Sequence, residues 1–261
     1  MPPVPEIPDL RIVPLERIRP HEEVDPLRVE PLAARIGSER TQLNPVVCIE
    51  SGGDDLVLLD GATRTASLRS LGLEFAVVQV VQSEDVGLGT WHHVLRDAGP
   101  AEVLSSIESR TELALSGEGS APRVWLPDGS ARAVIGSGVS DNAALSMLVS
   151  SYIGRWKVNR VIETGADQLG RQFPDWGALI EFPALSIRDV TEAALGADLL
   201  PAGITRFVVP ERALRLNYNL DELRGGESLQ IKQERLDGMI QERARLGRVR
   251  RYAEPVIILD D

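Results

Sequence analysis

The stretch that most constrains this chain is Leu56-Val57-Leu58-Leu59-Asp60-Gly61-Ala62-Thr63-Arg64-Thr65-Ala66-Ser67-Leu68-Arg69-Ser70-Leu71-Gly72. Four consecutive apolar residues, 56–59, suit a buried strand, while Ala62, Ala66, Leu68 and Leu71 recur at a helical spacing that Gly72 can end. The polar turn between them puts Asp60, Thr63 and Arg64 where the first amides of a helix point outward without intrahelical partners. Such a turn suits an anion. The amides favour negative charge, Arg64 adds a bidentate donor and Thr63 a hydroxyl, and Asp60 can hold a cation against the bound anion. A plainer reading stands beside it, in which Asp60 only caps the helix.

The surrounding segments build a mixed α/β unit. Residues 10–18 alternate as a first strand, with Pro14 pointing to an edge position. Arg19-Pro20-His21-Glu22-Glu23-Val24-Asp25-Pro26 is too rich in proline and charge for regular structure, and functional side chains concentrate in such loops. Glu22 is the candidate base, its alternative being a solvated surface carboxylate. Pro31 opens a short helix over 32–36, and a strand over 45–50 pairs with 56–60 across Gly52-Gly53-Asp54-Asp55. A further strand covers 75–81. Thr90-Trp91-His92-His93 follows, holding two of the three histidines. Neighbours on a strand face opposite ways, so these two do not share a metal easily.

Beyond residue 100 the pattern predicts a helix over 101–115, a hairpin of 123–126 with 131–135, and a helix over 142–152 capped by Asp141. Residues 148–162 give only weak support for a helix-turn-helix. Ser186-Ile187-Arg188-Asp189 is close to a capping box and opens a helix to Gly196. Pro201-Ala202-Gly203-Ile204-Thr205-Arg206 then sets a glycine, a hydroxyl and a guanidinium side by side, a combination suited to gripping a carboxylate or phosphate. A strand over 213–220, a charged amphipathic helix over 227–246 ended by Gly247, and a strand over 255–259 complete the reading.

Charge narrows the function classes. A net charge of -11 repels a nucleic-acid backbone, and the one basic cluster, Arg243 to Arg251, reads as a solvated helix face. The proline-rich residues 1–9 read as an extended tail, neither signal peptide nor membrane span. Cys48 is alone, so no intrachain disulfide forms, and a reducing cytoplasmic setting is the expectation.

The order strand, polar loop, short helix, Pro45-Val46-Val47, hairpin, then Leu59-Asp60-Gly61-Ala62-Thr63-Arg64 with Ala66 and Leu71-Gly72 resembles the ParB/sulfiredoxin-like domain. The resemblance implies an α/β (α+β) chain. Its parts are a nucleotide-binding domain over 10–98, a mixed helical and β-hairpin region over 99–200, and a C-terminal α+β segment, 201–261, that returns to the active-site cleft. Sulfiredoxins carry a cysteine after the turn glycine; Ala62 stands there, which excludes their chemistry. Partition-type ParB proteins have a Gly-Glu-Arg-Arg turn for CTP and a helix-turn-helix for DNA, and neither is evident in this sequence.

Free L-serine kinases, including the one linked to siderophore biosynthesis, form a third branch, with an Asp-Gly-x-His-Arg turn. His21-Glu22, Asp25-Pro26-Leu27-Arg28-Val29-Glu30, Thr90-Trp91-x-His93 and Pro201 to Phe207 are also similar to that siderophore-linked kinase, so the likeness runs from about residue 10 to 223. It implies Glu22 as general base on the serine hydroxyl and Asp60 as a second essential acid near the transferring phosphate and Mg2+. Gly61, Ala62, Thr63 and Arg64, with Asn44 and Pro45, would hold the nucleotide. Trp91, His93, Thr205 and Arg206 would border the amino-acid pocket, Arg206 as carboxylate clamp. The chain departs from the pattern at Thr63, where these kinases usually have histidine, which puts phosphate affinity and the choice of nucleotide in question.

The resulting expectation is a cytoplasmic kinase that uses ATP or ADP to convert free L-serine to O-phospho-L-serine for siderophore or diaminopropionate-type biosynthesis, with no membrane or nucleic-acid partner. The rival is a ParB-like transcriptional regulator that binds a nucleotide or other ligand without turnover.

Overall fold

The structure, a computed structural model, describes residues 7–252 apart from 118, 163 and 197; most of the proline-rich tail and the strand expected over 255–259 lie outside the described residues. The chain divides into two units. One comprises the residues up to Arg19, Asp25–Asp85 and those from Val209 onward; the other comprises Pro20–Val24 and Val86–Val208.

The first unit begins with β1 (Leu10–Pro14), a single 3-10 turn and β2 (Ile18–Pro20), then α1 (Pro26–Glu39), β3 (Thr41–Gln42), β4 (Val46–Glu50), β5 (Leu56–Asp60), α2 (Ala62–Ser70) and β6 (Phe75–Val80). Its five-stranded sheet runs β1-β6-β4-β5-β2, which puts Pro14 at the end of an edge strand. β4 lies parallel to β6 and antiparallel to β5, with Val47 opposite Asp60 and Glu50 opposite Leu56. The helix expected at 32–36 is longer. Asp25 accepts from the Leu27 amide at 3.0 Å and Pro26 starts α1, so part of the expected polar loop is a helix cap. Proline is tolerated there because that amide has no intrahelical partner. Pro31 lies inside α1, which continues past it with Ala33 and Ile36 buried.

The second unit holds β7 (Gly87–Thr90), β8 (His92–Arg96), α3 (Pro100–Glu108), β9 (Leu113–Ser116), β10 (Arg123–Trp125), β11 (Ala131–Gly136), α4 (Asp141–Ser150), β12 (Lys157–Val161), α5 (Ala166–Gln172), β13 (Trp176–Glu181), α6 (Ile187–Gly196) and β14 (Thr205–Val208). Six strands form one sheet in the order β12-β8-β13-β10-β11-β9, and β14 pairs with β7 in a separate ribbon. The helix expected over 101–115 stops at Glu108: Leu113 to Ser116 instead pair antiparallel with β11, an exchange that period-based reading of a short apolar run cannot see. Ser140, not Asp141, caps α4 by accepting from the Ala143 amide at 3.2 Å. Residues 157–161 are strand β12, so no helix-turn-helix forms at 148–162. Val94, Val161, Leu169 and Leu179 are buried together, with Trp125, Phe173 and Trp176 packed on them.

The chain then returns to the first unit as β15 (Tyr218–Asn219), paired with β3, followed by α7 (Leu220–Leu223) and α8 (Leu229–Arg245). The strand expected over 213–220 shrinks to these two residues. Arg215 and Asn217 take left-handed backbone angles, φ 56° and 48°, which no strand accommodates. Leu216, Tyr218, Leu220, Leu223 and Leu236 complete the core begun by Leu10, Ile12, Val46, Leu58 and Val78. Gln233 of α8 covers the open edge of β1, accepting from Ile12 N at 2.8 Å and donating to Leu10 O at 3.1 Å.

Candidate functional site

The chemistry-bearing residues fall into two sets, one in each unit. In the first unit Asp60 ends β5 and Gly61 turns the chain into α2 at φ +104°; a Cβ there would meet Val46 Cγ1 at 2.7 Å, so the backbone and the packing both demand glycine. No side chain caps α2, and the bond nearest its start runs from Thr65 N to Gly61 O at 2.8 Å, so the preceding amides point out of the helix end. Asp60 therefore does not act as the cap. Its Oδ2 accepts instead from Arg64 Nη2 at 3.1 Å and from Arg212 Nη1 at 2.7 Å. Both arginines bond the same oxygen, and Oδ1 has no donor among the described residues.

Arg64 is held on its other side as well. Its Nη1 donates to Asn44 O at 3.2 Å and Pro45 O at 2.5 Å, which ties the 44–45 loop to the turn and leaves Nε–H and one Nη2–H for a ligand. Burial pulls its pKa down and the neighbouring Asp60 opposes that shift. The expected nucleotide residues Asn44, Pro45, Gly61, Ala62, Thr63 and Arg64 thus come together around one helix end. Arg212 joins them and was not singled out by sequence. Gln79 of β6 holds its loop, donating to Glu211 O at 3.2 Å and accepting from Ala213 N at 2.8 Å.

In the second unit the strap Pro20–Val24 pairs with Leu200: Glu23 N donates to Leu200 O at 2.8 Å and Leu200 N to His21 O at 2.9 Å. That pairing delivers Glu22 to the 201–206 loop. Its Oε2 accepts from Gly203 N at 2.9 Å and lies 3.5 Å from the Thr205 hydroxyl, while Thr205 Oγ1 is 3.0 Å from His21 Nε2. The Thr205 hydroxyl thus stands between the Glu22 carboxylate and the His21 ring. No donor among the described residues reaches Glu22 Oε1.

Thr205 opposes Thr90 across the ribbon, and Arg206 opposes Gly89. Side chains alternate along a strand. Thr205 and Phe207 accordingly face the strap, Phe207 meeting the His21 ring edge-on at 5.4 Å, while Arg206 turns the other way and lies 5.4 Å over the ring of Trp91. Of the four expected substrate residues, Thr205 is beside Glu22, and Trp91 and Arg206 are stacked on each other. His93 is 1 % exposed, 2.7 Å from the Tyr152 hydroxyl and 3.4 Å from Gly203 O, so it props the Gly203 turn from within. Burial pushes its pKa down to about 4. His92 faces away from it and accepts from Phe182 N at 3.1 Å.

No group of three or more His, Cys, Asp or Glu among the described residues is arranged to hold a metal. Magnesium commonly binds through one or two carboxylates plus substrate phosphates, and Asp60 Oδ1 fits that need.

No protein-family model matches the chain. Among solved structures, C-terminally truncated SbnI from Staphylococcus aureus matches with a TM-score of 0.74 at 21% identity, covering 90% of this chain and 96% of that one. A free serine kinase in complex with AMP matches with a TM-score of 0.73 at 17% identity, covering 84% and 95%. The chain has the fold of these serine kinases. It is also similar in sequence to the ATP-dependent L-serine kinase SbnI of Staphylococcus aureus, 24% identical over 224 residues, which is 85% of this chain and 86% of that protein. The likeness therefore extends over most of the chain and not the Asp60 turn alone. No helix among the described residues is long and apolar enough to cross a membrane.

Proposed function

We propose that this chain is a free L-serine kinase that moves a phosphoryl group from ATP or ADP to the L-serine hydroxyl, giving O-phospho-L-serine for a siderophore or diaminopropionate-type route. The observation that carries the reading is Glu22, a carboxylate with Oε2 engaged by Gly203 N at 2.9 Å and Oε1 open. In the step it serves, the serine oxygen bonds the terminal phosphorus, the bond to the bridging oxygen breaks, and the hydroxyl proton passes to Glu22. A base in that role contributes about 10² to 10⁴ in rate. The acyclic acceptor supplies no activation of its own, so positioning and charge stabilisation supply the rest.

The first unit's set suits the other substrate. The helix-end amides at Gly61 to Arg64, the remaining N–H groups of Arg64 and the guanidinium of Arg212 form a cradle for phosphates. Magnesium brought by the nucleotide would neutralise phosphate charge, with Asp60 to hold it. The names of the relatives support the donor: one is ATP-dependent, and solved free serine kinases carry AMP or ADP.

Incubation with L-serine, Mg2+ and either nucleotide, followed by phosphorus NMR, tests the reading. Phosphoserine with at least one nucleotide is the expected result. Nucleotide binding without product from either would overturn it in favour of a ligand-binding regulator.

A further inference from the structure

We propose that Arg160 binds the carboxylate of the amino-acid substrate, a role that rests on the serine kinase reading above. Arg160 lies on β12, an edge strand, directly opposite His93 of β8. Residues opposite one another on paired strands share a face. His93 reaches Gly203 O, and the Arg160 guanidinium follows onto the same glycine: a methyl group built on Gly203 would lie 1.9 Å from Nη2 and 2.4 Å from Cζ of Arg160. Gly203 is also the residue whose amide holds Glu22. One glycine, at φ +82°, thus carries the candidate base on its N–H and a guanidinium against its Cα. Any side chain at 203 would displace that guanidinium.

Arg160 is exposed and, among the described residues, its guanidinium has neither a hydrogen bond nor an ion pair, Glu22 included. The other arginines of the two sets are engaged, Arg64 and Arg212 by Asp60 and Arg206 by the Trp91 ring. Arg206 also faces away from Thr205, whereas Arg160 and Glu22 meet at one residue. A small hydroxy amino acid has its carboxylate a few bonds from its hydroxyl. With the hydroxyl at Glu22, a planar guanidinium beside Gly203 is placed to take that carboxylate in a bidentate grip.

Steady-state kinetics on the wild type, Arg160→Gln, Arg160→Lys and Arg206→Gln, with L-serine and with its methyl ester, test this. Arg160→Gln should raise KM for L-serine about 10- to 100-fold while kcat and the nucleotide KM change little. Arg160→Lys should recover part of the loss, and the ester, which lacks the charge, should be indifferent to the substitution. A purely structural role would instead weaken both acceptors alike and lower Tm. An unchanged KM for L-serine in Arg160→Gln, or a rise confined to Arg206→Gln, overturns the inference and leaves the kinase reading standing. A wild type that makes no phosphoserine overturns the kinase reading. Calorimetry with L-serine then decides Arg160: binding weakened by Arg160→Gln supports it, and equal or absent binding overturns it.

Discussion

Asp60 and Glu22 are both carboxylates in turns, yet their surroundings give them different work. Asp60 sits between two guanidiniums that bond one oxygen, which orients Arg212 and leaves the second oxygen without a donor among the described residues. Glu22 is held by one amide and one hydroxyl, neutral donors that fix its direction without occupying the second oxygen. Glu22→Gln keeps an acceptor for Gly203 N–H and removes the proton site; phosphoserine formation should fall about 10² to 10⁴-fold with an unchanged melting curve. His93 gives a prediction of opposite kind. In the unfolded chain it takes its proton near 6.5, while in the fold burial delays this to about 4. The unfolded state therefore binds more protons between those values. The stability His93 lends is full above about 6.5 and is lost progressively as pH falls toward 4, at up to about 1.4 kcal/mol per pH unit. Urea melts between pH 7 and 4 should show that slope, and His93→Phe should flatten it.

Among elements, the β5–α2 junction shows why a short stretch can be legible by itself. Its strand, its glycine and its helix all follow from local preference, and residues 56–60 and 62–70 form as the apolar pattern predicts. Gly61→Ala would face both a positive φ and a 2.7 Å approach to Val46. Strain of this sort costs about 1–3 kcal/mol, so a lowered denaturation midpoint is expected, together with weaker nucleotide binding by calorimetry because the helix-end amides move. The 209–217 segment is the contrary case. Only its end, from 213, belongs to the strand expected over 213–220, and its shape comes from partners far along the chain: Gln79 grips Glu211 and Ala213, and Asn44 Oδ1 accepts from Arg215 N at 2.7 Å. Arg212 became visible only through those bonds.

At the scale of the whole molecule the first unit is discontinuous. Leu216, Tyr218, Leu220, Leu223 and Leu236 belong to the same buried cluster as Ile12, Val46 and Val78. A fragment ending at residue 98 should for that reason lack a complete core. Expressed alone, it should bind a hydrophobic dye and show no cooperative thermal transition, whereas the full chain should melt in a defined step; a fragment that unfolds cooperatively would contradict this topology.

By itself the sequence determined the elements whose causes are local: the hairpin of 46–50 with 56–60, the glycine turn at 61, the capping box at Ser186, and Glu22 in a loop too polar to be core. Only the tertiary structure decided which side chains share a site. It turned Asp60 from a helix cap into an arginine-held carboxylate, put His93 inside the protein, separated Thr205 from Arg206 across one strand, and brought Arg160 against Gly203. The reason is physical: local preference sets the angles of a backbone, while the company a side chain keeps depends on strands and loops that arrive from distant parts of the chain.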